Sequence, residues 1–370
     1  YDATVGALKL LRCGQAACTS GLSVVADRQV VGQFASATIG VDGLGIIAYH
    51  DATHVDLRVA HCVDAPCATA TVKVLESTGN VGSHASIIGG RQSAFPGGLA
   101  GPTIAYDDAG LTFLNHTLRL DLCEETACES FPLTATPAGT TRRGQYGSVA
   151  IGTDGLPLIT SYDSQTLDLT ASHCGDTSCL AASSATLDSA GDVGRYTSLA
   201  IGADGLGLVS YYDVTNANLK VAHCLDAACG SAAATTLDST GTVGEYTSLA
   251  VGSDGLGIIA YHDGTNGDLK VAHCSNAACT AASLATLDST GVVGQFTSIA
   301  IGVDGLALIS YYDVTNADLK VAHCSNVACS SASIFTLDNA GDVGQYSSIT
   351  IGRDGLALIA YHDATLGALK

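Results

Sequence analysis

Residues 211–224, 261–274 and 311–324 read YYDVTNANLKVAHC, YHDGTNGDLKVAHC and YYDVTNADLKVAHC. These segments start 50 residues apart, and related copies bring the number of units to seven. A period of this length is typical of propellers and solenoids. The chain opens inside one unit (YDATVGALKLLRC, residues 1–13) and closes inside another (YHDATLGALK, residues 361–370). A repeat divided between the two ends predicts a ring whose termini meet in one shared unit.

One unit divides into four short strands. EYTSLAVG (245–252) is followed by an Asp-Gly turn, which is a strong hairpin signal, and then by the apolar run LGIIAYHD (256–263). DLKVAHC (268–274) and ATLDST (285–290) complete the unit. Four antiparallel strands repeated seven times predict an all-β fold, a seven-bladed β-propeller. A β-solenoid is the main alternative, but solenoids need caps rather than matching ends.

The propeller is predicted to span residues 1–370 as one domain. Its closing blade takes strands from about residues 1–27 and from residues 345–363, and the N-terminal copy of the shared strand is expected to occupy the blade. One unit, at about residues 83–138, carries an insertion between Ile88 and Tyr106. Extra loop length is either neutral drift or a place where function resides.

Composition limits the function classes. The net charge is −20, so nucleic acid and anionic membranes are not expected partners. No run of about 18 apolar residues is present, so no membrane insertion is expected. The sequence has neither an initiator methionine nor a signal peptide, from which we expect a processed or partial chain.

Fourteen cysteines form seven C-x4-C pairs. Zinc binding is one interpretation, because a histidine precedes the first cysteine in five units. Adjacent strand residues point to opposite faces, however, so such a histidine and cysteine would not share one ion. The pattern therefore favours one disulfide per blade, worth about 2 kcal/mol each, and an oxidising compartment: secreted, extracellular or cell-surface. The predicted disulfides are Cys13–Cys18, Cys62–Cys67, Cys123–Cys128, Cys174–Cys179, Cys224–Cys229, Cys274–Cys279 and Cys324–Cys329.

A ligand site is predicted on the face that carries the turns between second and third strands, opposite the disulfides. Aromatic rings stack on sugars while amides and carboxylates bind hydroxyls, so varied positions on this face suit a glycan. A packing role between blades is the alternative for these side chains. The candidate ligand-binding residues are His50, Tyr162, Tyr212, His262, Tyr312, His362, Gln145, Arg195, Glu245 and Gln295.

Calcium is the one cofactor that the sequence suggests. Hard oxygen donors lie close together in the turns that contain Asp263 and Asp268, and again Asp313 and Asp318. A structural alternative is that the first aspartate of each turn caps its own turn through an Asx hydrogen bond. No nucleophile elbow, phosphate loop or paired acidic motif is recognisable.

The motifs IGxDGLxLISYYD, TNxDLKVAHC and LDSxGxVGxYTS resemble repeat arrays of bacterial secreted and surface-exposed proteins. This resemblance implies an extracellular propeller and supplies no catalytic residue. The sequence favours a non-enzymatic binding or adhesion module, lectin-like, with a glycan or surface protein as partner. The alternatives are a structural subunit that self-assembles at the cell surface, and a hydrolase or lyase that uses the central funnel. Seven near-equal units favour multivalency or structure over a single active site.

Overall fold

The chain folds into seven blades of four antiparallel strands each, as a computed structural model shows. Five blades are separate four-stranded sheets, and the other two are joined into one eight-stranded sheet. The structure describes residues 6–28, 31–89, 101–110, 116–123, 125, 128, 133–136 and 143–365. Every helix or strand assigned within these ranges is a β-strand. Accordingly, no helix in the described part of the chain has the length and hydropathy needed to cross a membrane.

The strands follow one another in chain order, four to a blade. The chain begins with β1 (Ala7–Cys13) and β2 (Gly21–Arg28). Blade 1 consists of β3 (Val31–Ile39), β4 (Gly45–Asp51), β5 (Asp56–Cys62) and β6 (Ala70–Glu76). Blade 2 consists of β7 (Val81–Ile88), β8 (Thr103–Asp108), β9 (Thr117–Leu122) and β10 (Leu133–Ala135). Blade 3 consists of β11 (Arg143–Ile151), β12 (Pro157–Asp163), β13 (Asp168–Cys174) and β14 (Ala182–Asp188).

The next three blades repeat this pattern with little variation. Blade 4 consists of β15 (Val193–Ile201), β16 (Gly207–Asp213), β17 (Asn218–Cys224) and β18 (Ala232–Asp238). Blade 5 consists of β19 (Val243–Val251), β20 (Gly257–Asp263), β21 (Asp268–Cys274) and β22 (Ala282–Asp288). Blade 6 consists of β23 (Val293–Ile301), β24 (Ala307–Asp313), β25 (Asp318–Cys324) and β26 (Ala332–Asp338). The last strands are β27 (Val343–Ile351) and β28 (Ala357–Asp363).

The closing blade combines both ends of the chain. Its strand order is β2-β1-β28-β27, with Ala7 opposite Asp363 and Lys9 opposite Tyr361. The predicted propeller with a shared closing blade is therefore confirmed, and the N-terminal copy supplies the third strand. The surplus copies, residues 1–5 and 366–370, lie outside the described residues, as do residues 90–100 of the predicted insertion.

The hydrophobic core lies between neighbouring blades. Ile259 and Tyr261 of β20 pack with Leu208 of β16 and Val221 of β17, all of them 0–1% exposed. The second strand of each blade is apolar along its length because both of its faces are covered, which explains the unbroken run in the sequence.

A buried ionic contact joins each of four pairs of neighbouring blades. The carboxylate of Asp238 at the end of β18 accepts hydrogen bonds from Lys270 (2.5 Å) and Tyr261 (2.8 Å) of the next blade. The same three residue types meet at Asp188, Asp288 and Asp338. A buried charge needs such partners, so these contacts fix one blade against the next.

All seven predicted disulfides are present, one in each blade, between the third and fourth strands. The histidine that precedes the first cysteine pairs with an aspartate, in place of the zinc binding that the sequence allowed. In blade 5, His273 Nε2 lies 2.9 Å from Asp254 Oδ2 in the turn between the first and second strands. Where Arg12 replaces the histidine, its guanidinium contacts Asp354 of the corresponding turn.

Candidate functional site

Seven aromatic side chains form a closed circle around the propeller axis. Neighbouring ring centroids lie 4.5–4.9 Å apart, and the last side chain contacts the first. This set, which we call the inner ring, consists of Phe34, His84, Tyr146, Tyr196, Tyr246, Phe296 and Tyr346.

A β-bulge near the start of each innermost strand places these rings. In blade 5, Glu245 pairs with His262 and Ser248 with Ala260, so Tyr246 and Thr247 together oppose one residue of β20. Tyr246 has φ 54°, and the other six members have φ 52–56°. Residues other than glycine rarely adopt this left-handed backbone conformation, which costs about 1–3 kcal/mol per residue. The circle is therefore built on a strained backbone in all seven blades.

The glycine two residues before each inner-ring residue explains part of the V-G-x-Y motif. Gly244 has φ 103°, and a Cβ at this position would lie 2.7 Å from the Cα of Leu219 in the preceding blade. Only glycine combines this dihedral with so close an approach. The motif thus sets both the bulge and the spacing between blades.

Six of the sequence-predicted ligand residues form a second circle behind the first. Their rings pack against inner-ring members at centroid distances of 6.2–6.4 Å, and their residues are 3–7% exposed. This outer ring consists of His50, Tyr162, Tyr212, His262, Tyr312 and His362.

Most outer-ring side chains make polar contacts to the next blade. His262 Nδ1 lies 2.8 Å from the carbonyl oxygen of Val293, and His50 and His362 make the same contact. The Tyr162 hydroxyl donates to Asp192 (2.9 Å). These side chains are placed as the packing alternative expects, and their contact with a ligand stays a prediction.

The other four predicted ligand residues directly precede members of the inner ring. Arg195 donates to Asp192 (3.0 Å) with its guanidinium 5.4 Å from the Tyr162 ring centroid. Glu245 and Gln295 are partly exposed and pair in register with outer-ring residues. Gln145 differs from them, because its amide contacts His116, a residue the sequence did not single out as functional.

The predicted calcium turns use their aspartates for other contacts. Asp263 accepts hydrogen bonds from the backbone N–H groups of Thr265 (3.1 Å) and Asn266 (3.0 Å), the Asx cap that the sequence offered as the alternative. Asp313 caps its turn in the same way, and burial raises the pKa of Asp268 and Asp318.

Among the described residues, the equivalent turn of blade 1 brings together three possible metal ligands, Asp51, His54 and Asp56. Asp51 is already paired there with Arg58 (2.6 Å). Calcium binding in these turns stays a prediction.

Blade 2 departs from the sevenfold pattern beside the inner ring. Where the other blades place an outer-ring aromatic, β8 has Asp107, which is 0% exposed. Its Oδ2 lies 2.6 Å from His116 Nδ1 and accepts a hydrogen bond from Ser83 (3.2 Å). Gln145 of blade 3 approaches the other side of the imidazole, with its Nε2 atom 2.9 Å from His116 Nε2. We call Ser83, Asp107, His116 and Gln145 the blade 2 cluster.

The chain makes room for this cluster at the boundary of blades 2 and 3. Thr117 of β9 pairs in parallel with Arg143 of β11, which joins the two blades into one eight-stranded sheet. Gly144 follows with φ 139°, and a Cβ there would lie 2.9 Å from Asp107 Oδ1. Glycine at this position therefore leaves the buried carboxylate its space.

Electrostatics couple the two titratable groups of the cluster. Burial raises the pKa of Asp107, although the hydrogen bond from His116 opposes that shift. The hydrogen bond to Asp107 raises the pKa of His116 above its usual value. Burial and the nearby His116 lower the pKa of His84 to about 3, so the inner-ring imidazole stays neutral. The pair can therefore hold or release one proton between the carboxylate and the imidazole.

The inner ring lines a cavity of about 200 Å³ that is open to solvent, which we call the axial cavity. Its wall consists of the seven rings and the residue that follows each of them. Two members of the wall connect it to the blade 2 cluster: His84 follows Ser83, and Tyr146 follows Gln145.

Sequence reasoning did not single out His116 or Asp107 as functional residues. A usable signal existed, since every other blade has an apolar residue or glycine just before its third strand. The residues at that position are Gly6, Val55, Leu167, Ala217, Gly267 and Ala317. The lengthened turn of blade 2 hides the match, which becomes visible once Thr117 is known to pair with Asp108.

We expect the Asp107→Asn variant to lower the pKa of His116, because the carboxylate that stabilises the imidazolium is lost. Titration of the histidine ring protons by NMR measures this shift. His362 of the closing blade, whose pKa is lowered by burial, is the internal control and should be unaffected by the substitution. An unchanged His116 titration would show that Asp107 does not set its proton affinity.

No protein-family model matches the sequence, and no curated protein matches it. Solved structures do resemble the fold. An alpha-L-arabinanase from Penicillium chrysogenum, solved with arabinobiose, superposes with a TM-score of 0.53 at 10% identity, covering 91% of this chain and 94% of its own. An ulvan lyase, a polysaccharide lyase, gives 0.55 at 10% identity over 88% of each chain. An alpha-L-arabinofuranosidase from Fusarium graminearum gives 0.50 at 11% identity, covering 89% and 92%.

At these identities the likeness is one of fold, and it supports the propeller part of the predicted resemblance. It also corrects the functional prediction. The sequence favoured a non-enzymatic binding module, whereas these similar structures are enzymes that act on carbohydrates. The sequence argument was that seven near-equal units disfavour one active site. That argument fails because blade 2 supplies the asymmetry, through Asp107 and His116, that a single centre requires.

Proposed function

We propose that this chain is an extracellular enzyme that cleaves glycosidic bonds in a polysaccharide, with its reacting centre at the blade 2 cluster. The observation that carries the proposal is the buried Asp107–His116 pair, at 2.6 Å, beside an aromatic cavity on the propeller axis. Perturbed titratable groups next to a concave aromatic surface are the usual signature of a reacting site.

The geometry gives His116 the role of the acid–base group. In the neutral imidazole, Nδ1–H donates to Asp107, and Nε2 is the unprotonated atom at which the ring takes up a proton. The side chain of His116 is 18% exposed, so a substrate atom can approach it. Asp107 is buried and stabilises the imidazolium form of His116. Such positioned proton transfer contributes about 10²–10⁴-fold to a rate.

Gln145 and Ser83 position this pair. The Gln145 amide N–H donates to Nε2 of the neutral imidazole at 2.9 Å, and protonation of that atom requires the amide to present its oxygen instead. Ser83 donates to the Asp107 oxygen that His116 also contacts. Both side chains therefore favour one orientation of the ring.

The remaining features suit a glycan substrate outside the cell. Aromatic faces and hydroxyl groups near the cluster match the apolar faces and hydroxyls of sugars. The seven disulfides are compatible with a secreted or surface-exposed protein, since such bonds persist in oxidising compartments.

The test is a screen of the purified protein against plant, algal and microbial polysaccharides. Two readouts distinguish the reaction classes: new reducing ends report any cleavage, and ultraviolet absorbance of an unsaturated sugar reports elimination. We expect cleavage of at least one polysaccharide, dependent on His116. Binding of polysaccharides without cleavage of any of them, or cleavage that is unaffected in the His116→Ala variant, would contradict the proposal.

A further inference from the structure

The axial cavity carries an inference about which part of a polysaccharide this chain binds, and it rests on the proposed function. The wall combines the inner ring with small and hydroxyl side chains, among them Thr197, Thr247 and Ser347. No Asp, Glu, Lys or Arg is among the described residues that form this wall. The one titratable imidazole, that of His84, is neutral because burial lowers its pKa to about 3. The cavity is therefore uncharged.

Polar atoms in the wall are available to an uncharged, hydroxyl-bearing ligand. Four tyrosines contribute to the wall, Tyr146, Tyr196, Tyr246 and Tyr346.

The size of the cavity limits the ligand to a single ring. Its volume of about 200 Å³ is below the range of about 300–1,000 Å³ that is common for small-molecule sites. Neighbouring side chains in the wall stand 4.5–4.9 Å apart around the whole circle, so a polymer has no sideways exit. A sugar ring therefore enters through the open mouth of the cavity, which the end of a polysaccharide fits.

We propose that the axial cavity is a binding site for one uncharged sugar ring at the end of a polysaccharide chain. His84 of the wall is close enough to His116 for the two imidazoles to interact electrostatically, and Gln145, which precedes Tyr146 of the wall, contacts His116 directly, so the bound end lies near His116. Cleavage is then exolytic, from the chain end. Uronic acids and sulfated sugars are excluded from the cavity, because a charge without a partner in such a site is costly.

Binding of neutral monosaccharides, compared with the corresponding uronic acids, tests this site without any catalysis. Saturation-transfer NMR and calorimetry are the measurements. We expect a neutral sugar to bind the wild type, the matching uronic acid to fail, and Tyr196→Phe to weaken binding about 3- to 10-fold through loss of a hydroxyl hydrogen bond. Tyr261→Phe removes the same atom from a tyrosine outside the cavity and should leave the affinity unchanged. Equal affinity for the uronic acid, an equal effect of the two variants, or no binding of any neutral sugar would overturn the proposal.

A second measurement separates this inference from the proposed function. If the chain cleaves a polysaccharide and the inference holds, reducing ends accumulate while viscosity falls slowly, because exolytic cleavage leaves the polymer long. A rapid fall in viscosity with internal fragments would overturn the inference and leave the proposed function standing. Binding of a neutral sugar without cleavage of any polysaccharide would overturn the proposed function and leave the binding site standing.

Discussion

The His116→Ala variant is expected to lose about 10²–10⁴-fold of the catalytic rate on whichever polysaccharide the wild type cleaves. The reason is that His116 is the partly exposed member of the only buried carboxylate–imidazole pair that the described residues place beside the inner ring. With alanine there, Asp107 keeps its hydrogen bond from Ser83 but has no group through which to exchange a proton with substrate. Initial rates and circular dichroism on the same samples measure activity and folding together.

The chain offers a matched control for this variant. His54 of blade 1 also contacts an aspartate through Nδ1, at 2.8 Å from Asp51, but it sits in a turn with its side chain 51% exposed. His54→Ala removes the same chemical pair and should keep the wild-type rate. A His116→Ala protein that is folded and retains more than about a tenth of the rate would show that His116 is not the acid–base group.

The pH profile gives an independent check on the same assignment. Asp107 raises the pKa of His116, so a rate that depends on the neutral imidazole should rise with pH through a value above the usual 6.5. In the Asp107→Asn variant this rise of the rate, the lower limb of the pH profile, should move to lower pH, because the imidazolium has lost its carboxylate partner. A limb that stays in place would mean that another group controls the rate.

Most of the fold could be predicted because the sequence contains seven copies of the same unit. The period, the Asp-Gly turns and the cysteine pairs recur in unit after unit, and each is a local signal of strand, hairpin or disulfide. The divided repeat also predicted the closing blade, where Lys9 of β1 pairs in register with Tyr361 of β28. Repetition makes such inferences strong, since one misassigned unit is outweighed by its copies.

The site was harder to predict because it depends on where the repeat is broken. A bulge at residues such as Tyr246 changes which side chains reach the axis, and strand alternation alone does not reveal it. The varied outer-ring residues were taken as ligand contacts, yet variation between His262 and Tyr312 is compatible with burial, since both side chains contact the next blade. His116 follows a lengthened turn, so its equivalence to Ala217 becomes apparent only from strand register.

The Asp338→Ala variant is expected to lower the free energy of unfolding by about 3 kcal/mol. Asp338 ends β26 in blade 6 and accepts hydrogen bonds from Lys9 of β1 (2.6 Å) and Tyr361 of β28 (2.7 Å). Asp338 therefore contacts both β1 and β28, the two paired strands that come from opposite ends of the chain. Removing one partner of a buried pair leaves the other charge uncompensated, which costs about 3–5 kcal/mol, and the remaining contact of Lys9 with Asp363 (3.2 Å) places the loss at the lower end.

Asp288→Ala is the matched control, because Asp288 makes the same contacts with Lys320 (2.5 Å) and Tyr311 (2.7 Å) where blade 5 meets blade 6. Chemical denaturation should show similar losses for both variants. Hydrogen exchange should separate them, since only Asp338→Ala frees a strand at the end of the chain, and amides of β1 should then exchange ahead of global unfolding. Adding Lys9→Met to Asp338→Ala should recover part of the stability, because it removes the unpaired charge.

Acid should remove the same contribution from the wild type. Burial alone would raise the pKa of Asp338, but hydrogen bonds from Lys9 and Tyr361 outweigh burial and hold it below its usual value. The pKa of an aspartate in the unfolded state is about 3.9, and a carboxylate whose pKa is lower in the folded state stabilises the protein at any pH above about 3.9. This stabilisation is lost as the pH falls through the lower pKa of the folded state. The gap between wild type and Asp338→Ala should therefore be widest near neutral pH and narrow below about pH 4. A gap that is constant with pH would show that the loss comes from packing, and that the ionic contact does not fasten the ring.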